Sequence, residues 1–270
     1  MMQMKSITEK TIADFQSKIF LWWEENKREL PWRETTNPYY ILISEVMLQQ
    51  TQVNRTIEKY LEFIERFPTI ESLAEAERAE VLRYWSGLGY NRRALWLQEA
   101  VQQILEQGVF PEAQEDLIKL KGIGPYSSRS ILIFAFNQDL ATIDTNIRRI
   151  LIAEEFAEET TTEKELYEIA SKLVPKGKSR DWHNALMDYG SLVLTTAKTG
   201  IKPTSSQPKY KSSKRFYRGQ IVKFLTTKES VTKSELISNC SIPKEISDEI
   251  LESLTKDGLI VQKKKRYSLP

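Results

Sequence analysis

The fold is decided by the stretch Leu117-Ile118-Lys119-Leu120-Lys121-Gly122-Ile123-Gly124-Pro125-Tyr126. An apolar helix end, a Gly-x-Gly turn and the start of a new helix are typical of a helix–hairpin–helix. The two glycines allow unusual backbone dihedrals and close approach of a partner. Their amides, with the N-terminus of the next helix, are suited to binding a phosphate oxygen. An ordinary tight turn between helices is the alternative.

Apolar residues recur at helical spacing on both sides of this turn. Few stretches alternate with period two before residue 258, so the first 200 residues are predicted to be all-α. Helices are predicted over residues 7–29, from about 39, and over 54–66, 69–75, 78–84, 92–107, 114–120, 127–136, 146–153, 163–173 and 182–195.

The last part of the chain has a different pattern. Residues 198–213 contain two prolines and four serines with little apolar periodicity, which is typical of a linker. Three helices over 216–227, 233–239 and 244–256, then strands over 259–261 and 266–269, predict a winged-helix module. Its third helix would face a DNA groove, although such modules also bind proteins. The predicted domains are 1–197, a linker 198–213, and 214–270.

Composition limits the possible chemistry. Hydrophobic residues make up 40% of the 270 residues and charged residues 28%, as in soluble globular proteins. The single cysteine, Cys240, excludes an intramolecular disulfide and a multi-cysteine metal site formed by this chain. The single histidine, His183, argues against a histidine-rich metal centre and is expected to be structural. No metal site is predicted.

The net charge of +2 conceals an asymmetry. Residues 201–270 hold 15 lysines and arginines against 7 acidic residues, a balance of +8, which leaves −6 for residues 1–200. A basic tail indicates a polyanionic partner, and a solvated lysine-rich surface is the alternative. The longest apolar runs are too short to span a bilayer, and residues 1–10 lack a signal-peptide core. We therefore expect a cytoplasmic protein without membrane contact.

Asp144 is the first candidate catalytic group. It stands twenty residues after Gly124, just before a basic helix that carries Arg148. The default role of an aspartate at such a position is that of an N-cap. A carboxylate that follows a phosphate-binding hairpin is also placed where a cationic sugar could form.

Glu45 is the second candidate, within the otherwise apolar run 41–48. Burial of a lone carboxylate is costly and favours its protonated form, which a general acid requires. An ion pair with Arg33 or Arg55 is the structural alternative. Three long amides at the helix end are suited to filling a gap in a base stack or to contacting base edges: Gln49, Gln50 and Gln52.

A glycine-rich turn follows in residues 85–93, Trp-Ser-Gly-Leu-Gly-Tyr-Asn-Arg-Arg. We expect it to expose Leu88 and Tyr90 as an apolar wedge beside two cations, Arg92 and Arg93. A simple helix C-cap explains the glycines equally well.

Together these segments resemble the helix-hairpin-helix DNA glycosylase superfamily, and specifically its adenine glycosylase (MutY-like) branch. The matching stretches are 30–33, 44–53, 87–90, 120–126, 143–149 and 185–190. The resemblance spans about residues 15–195. It implies a mainly α, two-lobed helix-hairpin-helix glycosylase fold, here followed by a small C-terminal winged-helix-like module.

The resemblance also implies roles for individual residues. Asp144 would stabilise the oxocarbenium-like sugar, and Glu45 would protonate the departing base or position the water. Tyr126 occupies the position of the Schiff-base lysine of bifunctional relatives, so we expect no strand cleavage by β-elimination. The target nucleotide would be flipped out of the duplex. The implied DNA-binding residues are Gln49, Gln50, Thr51, Gln52, Leu88, Tyr90, Arg92, Lys121, Gly122, Gly124 and Arg148.

The sequence departs from the family in three places. MutY-like enzymes usually carry four cysteines for a 4Fe–4S cluster, but Leu194 stands about where the first belongs and the other three are missing. We therefore expect no cluster and no other cofactor. The tail is too short for the usual domain that reads 8-oxoguanine. Asn91 replaces a tyrosine that often follows Gly-Leu-Gly-Tyr.

These departures leave the excised base open. Adenine opposite G or 8-oxoguanine requires a general acid, which Glu45 supplies, but thymine/uracil glycosylases can retain a glutamate there too. The expected partner is double-stranded DNA with a mispaired or deaminated base, bound by a monomer in the nucleoid. A non-enzymatic DNA-binding protein is the alternative from another class, although a binder needs none of Glu45, Tyr126 and Asp144.

Overall fold

The computed structural model describes residues 6–204 and 210–270. These residues form a mainly α fold with a small sheet near the C-terminus, as predicted. The elements are α1 Glu9–Asn26, a 3-10 turn Pro31–Arg33, α2 Pro38–Leu48, α3 Val53–Arg66, α4 Ile70–Ala74, α5 Arg78–Trp85, α6 Arg92–Gln107, α7 Gln114–Leu117, α8 Pro125–Phe136, α9 Thr145–Ala153, α10 Glu163–Leu173, α11 Ser179–Leu192, α12 Thr196–Thr199, α13 Lys214–Leu225, β1 Val231–Thr232, α14 Lys233–Asn239, α15 Lys244–Lys256, β2 Val261–Lys263 and β3 Arg266–Ser268.

Threonine side chains begin several of these helices. Each accepts a hydrogen bond from the third residue of its helix, whose own side chain accepts from the cap's backbone N–H. This reciprocal capping box satisfies two amides that have no partner within the helix. The threonines are Thr8 of α1, Thr69 of α4, Thr162 of α10 and Thr232 of α14.

The chain divides into two compact units. In the described residues, the first consists of 6–41, 112–118 and 123–204. Its core is formed where α11 packs against α1, α8 and α9. Phe15 of α1 lies 5.0 Å from Phe156 and 5.5 Å from Trp182, measured between ring centroids. These aromatic contacts connect the start of the chain to residues that follow more than 100 positions later.

A buried ion cluster stabilises the same unit. Asp188 on α11 is fully buried and accepts hydrogen bonds from the Arg28 Nε (2.5 Å), from the Arg33 Nη1 and Nη2 (2.8 and 2.9 Å) and from the Trp23 indole (3.0 Å). Burial alone raises the pKa of the Asp188 carboxyl, but the hydrogen bonds and charges of Arg33 and Arg28 outweigh it and lower that pKa below its ordinary value. Asp188 is therefore ionised at neutral pH.

The second unit consists of 42–111, 119–122 and 210–270. Helices α4 and α5 pack on α6, and Phe63 of α3 contacts Phe67 and Trp85 through its ring, with centroids 4.8 and 6.0 Å apart. The same unit contains α13 to α15 and a three-stranded antiparallel sheet in the order β1-β3-β2. Residues 205–209 of the predicted linker lie outside the described residues, and the domain boundaries at 197 and 213 remain a prediction.

The C-terminal hairpin differs from the sequence prediction. The strand predicted at 259–261 begins only at Val261, because the Leu259 N–H still closes the end of α15 by donating to the Leu254 carbonyl (3.0 Å). The hairpin turn is Lys264-Lys265, with φ of 47° and 64°, where a two-residue turn needs left-handed backbone at both positions. The short strand β1 was not predicted from the sequence. Among the described residues, none of the helices has the length and apolar character needed to cross a membrane.

Candidate active site and nucleic-acid interface

Asp144 lies in the first unit as the N-cap of α9. Its carboxylate accepts a 2.7 Å hydrogen bond from the Ile147 backbone N–H and a 3.0 Å bond from the Asn146 side-chain amide. This is the capping role that its sequence position predicts. The cap fixes the orientation of the carboxylate.

Burial raises the pKa of the Asp144 carboxyl above its ordinary value. The hydrogen bonds from Ile147 and Asn146 and the charge of Arg149 act in the opposite direction but do not cancel it. Arg149 is itself buried, and it donates to the Gly190 carbonyl (2.8 Å) and to the Asn146 side-chain oxygen. A desolvated carboxylate of this kind interacts strongly with a developing positive charge, because little water screens it.

Of the two glycines in the hairpin between α7 and α8, only Gly122 has a backbone conformation that favours glycine. Gly122 has φ of +78°, and a Cβ there would lie 3.0 Å from the Cβ of Trp96. Gly124 differs from the expectation of unusual dihedrals, since its φ of −101° and ψ of −178° are extended backbone that any residue adopts. A Cβ at Gly124 would meet no atom within 4 Å. The neighbouring Lys121 is exposed and donates its backbone N–H to Gln103.

Three further residues that the sequence predicted for the site are Tyr126 and Arg148, in the first unit, and Glu45, on α2. Tyr126 is half-buried in the first turn of α8. Arg148 is engaged by backbone, because it donates to the carbonyls of Glu159 (3.0 Å) and Lys202 (3.3 Å). Glu45, in the second unit, is 9% exposed and thus buried as predicted.

The sequence offered Arg33 as a structural partner of Glu45. In the structure, both terminal nitrogens of Arg33 donate hydrogen bonds to the Asp188 carboxylate.

Arg93 organises the loop that follows α2, a role that the sequence did not reveal. It is 5% exposed, and its Nη1 donates to the carbonyls of Val46 (2.7 Å), Met47 (3.3 Å) and Gln49. Burial lowers its pKa to about 10, which leaves it charged at neutral pH. A buried cation thus satisfies the orphan carbonyls at the C-terminus of a helix.

The same guanidinium reaches the glycine-rich turn. Arg93 Nη2 donates to the Thr51 hydroxyl (3.0 Å) and to the Gly89 carbonyl (3.2 Å), which also accepts from the Trp85 indole (3.1 Å). Arg93 therefore connects two loops that carry predicted DNA-binding residues. Gln50 in the first loop has a left-handed φ of 56°, a conformation that is uncommon outside glycine.

The glycine-rich turn places its two apolar residues differently from the prediction. Leu88 is 3% exposed and belongs to the core, so it does not project as a wedge; an apolar side chain in so tight a turn gains more by packing inward. Tyr90 is half-buried, has φ of 48°, and accepts a hydrogen bond on its hydroxyl from Arg215 of α13. The turn thus presents Tyr90 without Leu88 beside it.

A cavity of about 890 Å³ opens in the second unit beside both loops. Six of the predicted DNA-binding residues line it, together with residues of α13 that the sequence did not single out. Its lining includes Gln50, Thr51, Gln52, Arg55, Leu88, Tyr90, Arg92, Arg93, Trp96, Tyr210, Arg215, Arg218, Gln220, Lys223 and Asp257. The spacing of 215, 218 and 223 is that of one helix face, which is the pattern that could have identified them.

The described residues hold no group of three or more His, Cys, Asp or Glu side chains placed to bind a metal ion. Cys240, the chain's one cysteine, is the buried C-cap of α14 in the C-terminal module, and burial raises the pKa of its thiol to about 11.

Comparisons with known proteins agree on one class. Residues 43–176 match the family model described as HhH-GPD superfamily base excision DNA repair protein. The chain is 31% identical to an adenine DNA glycosylase of Mycobacterium tuberculosis over 94% of its own length and 93% of the relative's. It is 33% identical to that of Mycolicibacterium smegmatis, covering 91% and 92% respectively.

Solved structures give the same fold. A thermostable thymine-DNA glycosylase superposes with a TM-score of 0.65 at 28% identity, over 72% of this chain and 92% of that one. Endonuclease III in a trapped covalent complex with DNA superposes with a TM-score of 0.62 at 19% identity, over 75% and 92%. The second likeness concerns the fold alone.

Proposed function

Because the chain belongs to the HhH-GPD superfamily of base excision DNA repair proteins and is a DNA glycosylase, we propose that it excises adenine paired with G or 8-oxoguanine in double-stranded DNA. The observation that carries the proposal is the near full-length similarity to adenine DNA glycosylases. The residues with catalytic chemistry in that resemblance, Glu45 and Asp144, are both present and partly or fully buried.

The proposed reaction is hydrolysis of the N-glycosidic bond. Glu45 donates a proton to the leaving adenine, which departs with the electron pair of the broken C1′–N bond. The reaction requires Asp144 in its ionised form, in which the carboxylate stabilises the positive charge that develops on the sugar. Water then adds to C1′ and releases a proton, so the products are the free base and an abasic site.

Binding precedes this chemistry. We assign phosphate contact to the amides of Gly122 and Gly124 and to the N-terminus of α8, since helix N-termini favour anions. The target base must leave the stack to be reached, and Gln50 with Tyr90 would occupy the vacated space. The open volume at the Cβ position of Gly124 supports a close approach of the DNA backbone there.

We further propose that the enzyme is monofunctional. Tyr126 stands where bifunctional relatives carry the Schiff-base lysine, and a phenol cannot form an imine with the sugar. No cofactor is assigned, because one cysteine cannot ligate a 4Fe–4S cluster. We expect a monomer that acts on DNA in the cytoplasm.

Excision of thymine or uracil is the second candidate. The structural likeness to a thymine-DNA glycosylase at 28% identity favours it specifically. Uracil is also a better anionic leaving group than adenine, so its release depends less on proton donation by Glu45. In that case Glu45 would orient the water or the base.

A base-release assay on labelled duplexes distinguishes the candidates. The panel is A opposite 8-oxoguanine, A opposite G, U opposite G, U opposite A and T opposite G, with alkali to reveal abasic sites and Asp144→Asn as the control. We expect release confined to the adenine duplexes and dependent on Asp144. Release from U or T duplexes with adenine untouched would replace the proposal with the second candidate. Strand cleavage without alkali, with a borohydride-trapped adduct, would contradict the monofunctional assignment.

A further inference from the structure

The cavity beside the two loops is strongly cationic. Among the described residues that line it, six are cationic and one, Asp257, is a carboxylate. Asp257 forms ion pairs with Arg92 (3.2 Å) and Arg218 (2.6 Å), so it holds these two guanidinium groups next to each other in the cleft. A concave surface of one charge focuses the field and attracts a polyanion.

Aromatic rings interleave with the cations. The Arg215 guanidinium lies 5.0 Å from the Tyr90 ring centroid and 5.1 Å from that of Tyr210, while Arg92 lies 4.8 Å from that of Trp96. Arginines beside aromatic faces are the combination that binds both the phosphates and the bases of an unstacked strand.

The helix that a winged-helix module would place in a DNA groove has the opposite character. Four acidic residues are exposed on α15, against one lysine at each end of the helix. Two of them pair with lysines of other helices, Asp248 with Lys233 and Glu249 with Lys214. The acidic residues of α15 are Glu245, Asp248, Glu249 and Glu252. An acidic face is repelled by phosphates.

We propose that α13, and not α15, is the DNA-binding helix of the C-terminal module. Arg215, Arg218 and Lys223 bind the sugar–phosphate backbone in the cleft, and Tyr90 with Tyr210 stacks on an adjoining base. The module thereby extends the contact surface of the glycine-rich turn through the bond between Arg215 and Tyr90. The proposal rests on the proposed function in taking DNA as the ligand.

The test is fluorescence anisotropy with the full chain and a labelled duplex that contains a tetrahydrofuran abasic analogue opposite G. Dissociation constants are measured at several NaCl concentrations for wild type, Arg215→Ala and Lys223→Ala. Each variant is expected to bind about 3–10-fold more weakly and to reduce the slope of log K against log[salt] by about 1, because one phosphate contact is lost.

Two matched controls remove the same charge outside the cleft. Lys214→Ala changes an exposed lysine of α13 that pairs with Glu249, and Lys244→Ala changes one at the start of α15. Both are expected to keep the wild-type salt slope. A reduced slope for Lys244→Ala with unchanged slopes for Arg215→Ala and Lys223→Ala overturns the proposal, as do slopes that fall equally for all four. Thermal melting followed by circular dichroism identifies any variant that has lost its fold, and Lys223, being exposed, supplies the result if Arg215→Ala unfolds.

The two proposals fail separately. Salt-dependent binding that requires Arg215 and Lys223, without base release from any duplex, overturns the proposed function and supports the role of α13. Normal base release with unaltered binding by both variants overturns the role of α13 alone.

Discussion

The Asp144 side chain accepts the backbone hydrogen bond that begins α9, and an asparagine oxygen can accept the same bond. Asp144→Asn removes the charge and also the oxygen that accepts one of the two hydrogen bonds, those from Ile147 and Asn146. It is therefore expected to lower the melting temperature only slightly, while base release falls by at least about 100-fold. Asp144→Ala removes the cap as well and is expected to lower the free energy of unfolding by about 1 kcal/mol. Retained base release in a folded Asp144→Asn would show that the carboxylate is not the group that stabilises the sugar.

Residues also show where sequence reasoning stops. The apolar run around Glu45 predicted its burial, and residues 41–47 are all buried. Leu88 was misplaced, since a Gly-x-Gly pattern indicates a turn but does not indicate which way its side chain faces. Arg93 was expected to be a cation beside the wedge and is buried instead, because it binds carbonyls in residues 46–49, more than 40 positions away in the chain.

At the scale of elements, α9 and α11 approach so closely that only glycine fits at their crossing. A Cβ on Gly190 would lie 2.7 Å from the Cβ of Asn146 and 3.2 Å from the Ile150 side chain. Helix propensity alone would favour alanine at Gly190 by about 1 kcal/mol. We expect the clash to reverse the sign, so that Gly190→Ala lowers the free energy of unfolding by about 1–3 kcal/mol.

The same substitution is expected to reduce base release beyond the loss of folded protein, because the displaced Asn146 holds the Asp144 carboxylate. Urea titration and single-turnover assays measure the two effects. Gly219→Ala is the matched helical control, since its added Cβ would meet only the far end of the Tyr210 side chain at 3.3 Å. Equal effects of the two substitutions on stability would contradict the close packing of α9 on α11.

Helix positions were predictable from sequence to within a few residues because amphipathic periodicity repeats over several turns. The predicted bounds of α6, α10, α14 and α15 are those of the structure. Short elements cannot be predicted in this way, since a two-residue strand such as β1 is too short to show a repeating pattern. The cationic face of α13 follows from its spacing, but its place beside the glycine-rich turn depends on tertiary packing of distant segments.

At the scale of the whole molecule, three titratable groups with shifted pKa values make stability depend on pH. His183 is 1% exposed, accepts from the Thr142 N–H and lies 2.7 Å from the Ser179 carbonyl; burial lowers its pKa to about 4. Its unfolded pKa is about 6.5, so the unfolded chain binds more protons between these values and stability falls as the pH falls. Asp188, with its lowered pKa, acts in the same direction at lower pH, whereas the raised pKa of Asp144 acts in the opposite one.

We therefore expect the free energy of unfolding to fall by about 3 kcal/mol between pH 7 and pH 4 through His183. Urea midpoints followed by tryptophan fluorescence at pH 7, 6, 5 and 4 measure the decrease. His183→Gln, whose amide offers both a donor and an acceptor, is expected to flatten the profile above pH 4. An identical profile for that variant would assign the pH dependence to other groups.

The interleaved composition of the two units has a consequence for synthesis on the ribosome. Helix α1 completes its core only with α11, which begins about 150 residues later, and ribosomes add about 5–20 residues per second. The apolar face of the amphipathic α1 is therefore exposed for roughly 8–30 s before α11 is synthesised. During that interval the nascent chain is a natural client for a holding chaperone, and slow codons before α11 would lengthen the exposure.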